Sequence, residues 1–177
     1  MAMQFLLYNG AMQTTSAAAK VATGTSAKTM MQVFLGASPV AKIIEWGASF
    51  DASAAATPGV VELIETDVAA TVTAYAAADF TAYNADALLL SAGQKAASAT
   101  TGLFQFSTST SGYTSTGEGS ITAVRNLAGP QLIAPTTQFI QQFPLGREGL
   151  MQNGKYYRIR MTFGTSVNAL CYMIIEI

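Results

Sequence analysis

The sequence contains no histidine and a single cysteine, Cys171. Without histidine the chain lacks the commonest metal ligand, general base and pH-sensitive side chain of proteins. A serine-hydrolase triad in its usual form is therefore excluded, because its base is a histidine. A single cysteine excludes an intrachain disulfide. The apolar neighbours of Cys171 indicate that it is a small buried hydrophobic residue.

Charged residues are also scarce, at 11% of the chain with a net charge of −1, against about 25% in an average soluble domain. The basic residues are scattered, which argues against a nucleic-acid surface, since that needs clustered Lys and Arg. The one tight pair, Arg158 and Arg160, is expected on a solvated strand face. The exposed surface must then be built from small and neutral polar side chains, which cost less to desolvate than charged ones. Such a surface suits a protein packed against neighbours, and a plain soluble domain with an alanine-rich surface is the open alternative.

Long hydrophobic runs are missing as well. No window of about 18 apolar residues is free of charge, so we expect no membrane span. Residues 1–8 lack the basic leading segment of a signal peptide, and their apolar stretch is short. There is no phosphate-binding glycine loop and no zinc or EF-hand spacing, so we expect no cofactor and no metal.

Paired carboxylates are the chemistry hardest to exclude, because glycoside hydrolysis needs only two of them. Glu45, Glu62 and Glu65 lie on neighbouring predicted strands, where two could face one another. We expect them instead on the solvent side of a half-buried sheet, and we expect a protein that is not an enzyme. A small glycosidase is kept as an alternative.

The residues that are present predict strands. The segment 42–51 alternates between apolar and polar residues, which is typical of a strand with one face on a core. Residues 60–65 are rich in β-branched side chains and follow the turn residues Pro58 and Gly59, so the two segments predict a hairpin. Residues 155–163 alternate in the same way. The predicted core comprises Ile44, Trp46, Phe50, Leu63, Tyr157, Ile159, Met161, Phe163 and Cys171.

The last predicted strand, residues 167–177, is apolar on both faces. Such a strand is central in its sheet, or another element or subunit covers its outer face. The tyrosines at 75, 83 and 113 lie in loops rich in alanine and serine, so we expect them to be exposed contact residues. The candidate interface residues are Phe5, Leu6, Tyr75, Tyr83, Tyr113, Leu170, Tyr172 and Ile174.

About eight to ten short strands with turn residues between them predict an all-β antiparallel sandwich, for which a jelly roll is the natural candidate. We assign residues 1–30 to an N-terminal strand or arm and residues 31–177 to the sandwich domain. Residues 67–101 read as a loop-rich insertion with at most short helices, one of them at 86–95.

Two segments of the sequence carry a resemblance to known proteins. The first runs from Ile44-Glu45-Trp46-Gly47-Ala48 through 68–74. The second runs from Gln138 through Pro144-Leu145-Gly146-Arg147-Glu148 to 167–172. Together they resemble small virion proteins of tailed bacteriophages, a group associated with capsid decoration, or cement, proteins. The resemblance covers much of 43–74 and 119–177.

This resemblance implies an oligomeric β-sandwich, often a trimer, seated on the outer surface of a capsid, with the major capsid protein as its partner. It implies a protein made in the host cytoplasm and localised in the virion, without nucleic-acid or membrane partners. A tail, baseplate or minor head component would have the same fold and composition. A carbohydrate-binding or adhesin module is a further alternative. Trp46 falls on the apolar side of its strand, which favours core burial over sugar stacking.

Overall fold

The computed structural model describes residues 2–36, 40–52, 57–85, 96–97 and 104–177. The regular secondary structure of these residues is strand, apart from one short 3-10 turn at Ala77–Asp79. In chain order the strands are β1 Gln4–Tyr8, β2 Val21–Ala22, β3 Lys28–Phe34, β4 Ala41–Asp51, β5 Gly59–Thr66, β6 Thr71–Ala74, β7 Thr81–Ala82, β8 Ala96–Ala97, β9 Phe104–Gln105, β10 Gly112–Gly117, β11 Ala123–Ile133, β12 Gln138–Gln142, β13 Gly149–Met151, β14 Tyr156–Thr162 and β15 Asn168–Glu176.

The strands build two large sheets. Sheet A has the order β12-β4-β15-β1-β7, with β13 also on β4 and β2 also on β15; sheet B has the order β11-β5-β14-β3-β10-β6. Every strand pairing within the two sheets is antiparallel. The strands β8 and β9 form a small separate parallel pair. The expected all-β antiparallel sandwich is therefore confirmed, while its jelly-roll arrangement stays a prediction.

The N-terminal residues are an integral part of the sandwich. Strand β1 lies between β15 and β7 in sheet A, and β3 lies inside sheet B. Phe5 and Leu7 are fully buried, and the ring of Phe5 packs edge-on against Phe104 at 6.1 Å between centroids. The placement of Phe5 at an interface is therefore wrong, because odd-numbered residues of β1 face the core of their own chain.

The expected insertion at 67–101 also contributes to the sheets. Strand β6 forms one edge of sheet B, and β7 forms one edge of sheet A. Tyr75 follows β6 and is buried rather than exposed: its ring packs against Phe80 and Tyr113, with centroids 5.7 and 5.2 Å away. The expectation that Tyr75 is an exposed contact residue is therefore wrong. The short helix predicted at 86–95 lies outside the described residues.

The core between the sheets contains most of the residues predicted for it. The fully or almost fully buried ones are Trp46, Leu63, Tyr157, Ile159, Met161, Phe163 and Cys171. Phe50 is half-buried near the end of β4, where its ring lies 5.2 Å from that of Phe163.

Ile44 is the exception that requires a correction. Opposite β4, Ile174 pairs with Glu45 whereas Ile175 pairs with Ile43, so Ile44 is an extra residue in a β-bulge. A bulge reverses the alternation of side chains along a strand. Ile43 consequently takes the core position, and Ile44 is only half-buried.

Candidate interaction surface

The central part of the face of sheet A that points away from the core carries an apolar patch. In β15 the core-facing residues are buried, and Leu170, Tyr172 and Ile174 alternate with them and point outward. Leu6 pairs with Ile174 and Tyr8 with Tyr172, so the outward side chains of β1 extend the same patch. Because cross-strand pairs on one face are close neighbours, these five residues form a continuous apolar area.

Tyr172 is held in place on this face by two contacts. Its ring lies over Gly47 of β4: a β-carbon at position 47 would be 2.7 Å from Cε1 of Tyr172 and 2.9 Å from the backbone oxygen of Phe139. Its hydroxyl donates a hydrogen bond to Oε1 of Glu45 at 2.5 Å. Burial, together with this hydrogen bond, raises the pKa of Tyr172 above its ordinary value. The aromatic ring is therefore presented in one orientation.

Two adjoining clefts, of about 330 and about 220 Å³, open beside the residues of this patch, and the larger one also reaches Tyr113 of sheet B. Both are lined by Tyr8, Ala18 and Leu170, and the smaller one is also lined by Ile140 and Tyr172. We call these two clefts together the outer-face groove. Its lining, as far as the chain is described, includes no charged side chain. Removing water from the groove therefore costs less free energy than it would with a charged lining.

The predicted interface residues divide between this surface and the core. Leu6, Leu170 and Tyr172 lie half-buried on the outer face of sheet A, and Tyr113 lines the larger cleft. Tyr83 is 56% exposed just after the edge strand β7. Ile174 points outward but is only 4% exposed, and Phe5 and Tyr75 belong to the core as described above.

Most of the groove residues were not predicted from sequence, among them Tyr8, Ala18 and Ile140. Tyr8 follows Leu6 at strand spacing, which is a signal that could have found it. Ala18 and Ile140 come from distant segments that meet only in the folded chain, and no local pattern marks them.

The three carboxylates considered for glycoside hydrolysis lie apart. Glu45 lies on the outer face of sheet A, where it accepts a hydrogen bond from the hydroxyl of Tyr172. Glu62 accepts a hydrogen bond of 2.7 Å from Arg160, and this pair lies on the outer face of sheet B. Glu65 points to the core side of sheet B and is 1% exposed, so the expectation that it lies on the solvent side is wrong. No two of the three share a cleft, so the glycosidase alternative has no pair of acids among them.

The described residues also bear on metal binding, membrane spanning and sugar stacking. They contain no group of three or more His, Cys, Asp and Glu side chains that could hold a metal ion. No helix formed by these residues has the length and apolarity to cross a bilayer. Trp46 is fully buried and donates its indole N–H to Oε1 of Gln141 at 3.2 Å. That indole is therefore unable to stack on a sugar at the surface.

Arg158 differs from the solvated residue expected from sequence. It is fully buried on the outer side of sheet B, with Nη1 3.5 Å from Oε2 of Glu118. The segment that carries Glu118 covers it, and Nη1 also donates to the backbone oxygen of Glu118 at 3.4 Å. Burial lowers the pKa of Arg158 to about 10, so it remains a cation at neutral pH. The outer faces of sheets A and B therefore differ, because a segment of the same chain covers the outer face of sheet B at this ion pair.

Comparison of the chain with models of protein families, with curated proteins and with solved structures finds no match. The proposed function therefore rests on the surface itself and on the resemblance of residues 43–74 and 119–177 to phage virion proteins.

Proposed function

We propose that this chain is a non-enzymatic virion protein of a tailed phage, a capsid decoration protein that binds the major capsid protein and stabilises the capsid lattice. The observation that carries the proposal is the apolar patch on the outer face of sheet A. In a two-layer sandwich the core face of each sheet is apolar, and the face away from the core is ordinarily polar. Here Leu6, Tyr8, Leu170 and Tyr172 occupy that outer face.

The free energy gained by burying such a surface suits binding to a repeating lattice. Burial of apolar area contributes about 25 cal/mol per Å², so a groove of this size supplies a modest affinity per site. A lattice offers many identical sites, and linked weak sites give strong overall attachment. The low fraction of charged residues also supports binding to a lattice, because few charged side chains lose their water when the surface is covered.

The first test is binding to capsids assembled without this protein. The unmodified chain should co-sediment with them and saturate at a fixed stoichiometry. Leu170→Gln places a polar amide in the outer-face groove and should weaken binding about tenfold or more, as expected for a central contact residue. The matched control is Val68→Ser, which changes an apolar residue of similar size at a position 36% exposed beside sheet B and should leave binding unchanged.

Mass spectrometry of purified virions decides whether the chain is a virion component at all, and its absence would end the proposal. Gold labelling of the same particles separates the classes of component. Label over the head supports the decoration protein, and label on the tail or baseplate assigns the chain to the alternative class. Equal capsid binding by Leu170→Gln and the unmodified chain would contradict the role of the groove.

A further inference from the structure

Strand β12 has a hydrogen-bonding edge that no described strand occupies. It is the terminal strand of sheet A and, among the described residues, pairs only with β4. The amide of Phe50 donates to the oxygen of Thr137 at 3.1 Å, and the amide of Phe143 donates to the oxygen of Ile44 at 2.9 Å. Because bonded pairs alternate along an antiparallel ladder, the N–H and C=O groups of the even-numbered residues 138, 140 and 142 point away from β4. Within the described residues no backbone group is bonded to them.

The usual features that block pairing at an edge are missing from β12. Natural edges carry lysine, proline or β-bulges, which prevent another strand from adding to the sheet. Strand β12 has none of these, and its register with β4 is unbroken from Gln138 to Gln142. Strand β11 is the edge strand of sheet B on the same side of the sandwich, and it does carry features that block pairing. Its pairing with β5 shifts register three times, and it contains Pro130.

The surroundings of this edge are neutral and apolar. Residues 126–146 contain no Asp, Glu, Lys or Arg, so two copies of this segment approach one another without repulsion between like charges. Ile140 is 53% exposed and Leu145 97% exposed. The amide of Arg147 donates to the oxygen of Pro144 at 2.9 Å, and Gly146 has a φ of +80°. This is a turn with glycine at its third position, and it holds Leu145 in solvent beyond the end of β12.

We propose that β12 pairs antiparallel with β12 of a second copy of this chain, around a two-fold axis at Ile140. The sequence Gln138-Phe139-Ile140-Gln141-Gln142 is self-complementary about its centre, because Ile140 then faces Ile140 and Gln138 faces Gln142. The outward N–H and C=O groups of residues 138, 140 and 142 become mutual partners, and the two A sheets join into one. In this register Leu145 lies level with Pro135 of the second copy.

A second copy fits this edge because a two-fold interface uses one patch twice and therefore requires a self-complementary patch. The joined sheets place two outer-face grooves side by side, since Ile140 lines the groove and also lies at the axis. The inference does not depend on binding to a capsid. The trimer implied by the resemblance is the competing assembly.

The test is the mass of the purified chain in solution, measured by size exclusion with light scattering across a concentration series. The expected mass is twice the 18.5 kDa of one chain. Ile140→Pro removes an N–H that points to the free edge and not to β4, and proline is tolerated at such edge positions. This variant should be monomeric with an unchanged circular dichroism spectrum. Ile140→Lys tests the same edge with a charge, and should also be monomeric, so the inference stays testable if the proline variant misfolds.

The matched control is Tyr83→Lys, which introduces the same charge at a position of similar exposure, 56%, beyond the opposite edge of sheet A. It should remain dimeric. Amide hydrogen exchange gives a second readout: the amide of Ile140 should exchange slowly in the unmodified chain and rapidly in Ile140→Lys. A monomeric or trimeric unmodified chain, or a dimer that persists in Ile140→Lys, would overturn the inference.

Discussion

Glu65 places a carboxylate inside the sandwich, where only 1% of the residue reaches solvent. It accepts a hydrogen bond of 2.7 Å from the hydroxyl of Tyr157 and pairs with the guanidinium of Arg125. Arg125 also donates to the backbone oxygen of Leu150 at 2.5 Å. A buried carboxylate is tolerated only when it is paired in this way. At the scale of single residues, this network links β5, β11, β13 and β14 beside the core.

Replacing Glu65 by alanine should therefore destabilise the fold. We expect Glu65→Ala to lower the free energy of unfolding by about 2–4 kcal/mol, somewhat below a fully buried pair because Arg125 is partly exposed. The control is Asp51→Ala, which removes an exposed pair with Lys20 and should cost less than about 1 kcal/mol. Urea unfolding followed by circular dichroism measures both variants. Equal losses would show that the Glu65 network adds no stability.

The same network predicts a loss of stability in alkaline solution. Burial, together with the hydrogen bond to Glu65, raises the pKa of Tyr157 above its ordinary value of 10.0. The folded chain therefore keeps this proton at a pH where the unfolded chain has lost it. The resulting stabilisation is fully present below about pH 10 and decreases as the pH rises further.

Absorbance at 295 nm and urea unfolding, both followed from about pH 8 to about pH 11, test this sign. Tyr157→Phe should flatten part of the pH dependence of stability. Stability that is constant or increases above pH 10 in the unmodified chain would contradict the assignment.

At the scale of elements, a strand could be predicted from sequence where its pairing is regular. The residues of β14 alternate as predicted, and its register with β5 is unbroken from Tyr156 to Thr162. The alternation of β4 reverses at Ile44 because of a bulge that its pairing with β15 reveals. The position of β1 between β15 and β7 likewise depends on pairing between chain ends. Such long-range partners leave no local pattern, which is why the assignments of Ile44 and Phe5 were wrong.

The packing of β15 on β4 predicts a specific sensitivity at Gly47. A methyl group there would overlap the ring of Tyr172 and the backbone of Phe139. We expect Gly47→Ala to cost about 1–3 kcal/mol, as overpacking does elsewhere, and to displace Tyr172 from the outer face. Gly129→Ala is the control, because no atom lies within 4 Å of its added carbon. Thermal unfolding compares the two, and an equal effect would show that Tyr172 is free to move.

At the scale of the whole molecule, the low fraction of charged residues predicted a surface suited to contact with another protein. It did not predict where on the surface that contact lies. The two apolar faces of β15 predicted a central strand or a covered outer face, and β15 is the central strand of sheet A. That Leu170 and Tyr172 contact a partner stays a prediction. The groove itself needs Ala18 from the N-terminal third and Ile140 from β12, which meet only in the folded chain. The difference between the covered sheet B at Arg158 and the apolar sheet A could not be predicted either, since Arg158 resembles a solvated residue in its local sequence.

We propose that the outer face of sheet A is the surface that contacts a capsid. The most direct measurement is an electron cryomicroscopy reconstruction of the virion at a resolution that separates strands. We predict density for this sandwich on the outside of the head, with Leu170 and Tyr172 against the major capsid protein. A reconstruction with the sandwich on the tail, or on the head with the outer face of sheet B toward the lattice, would contradict the account.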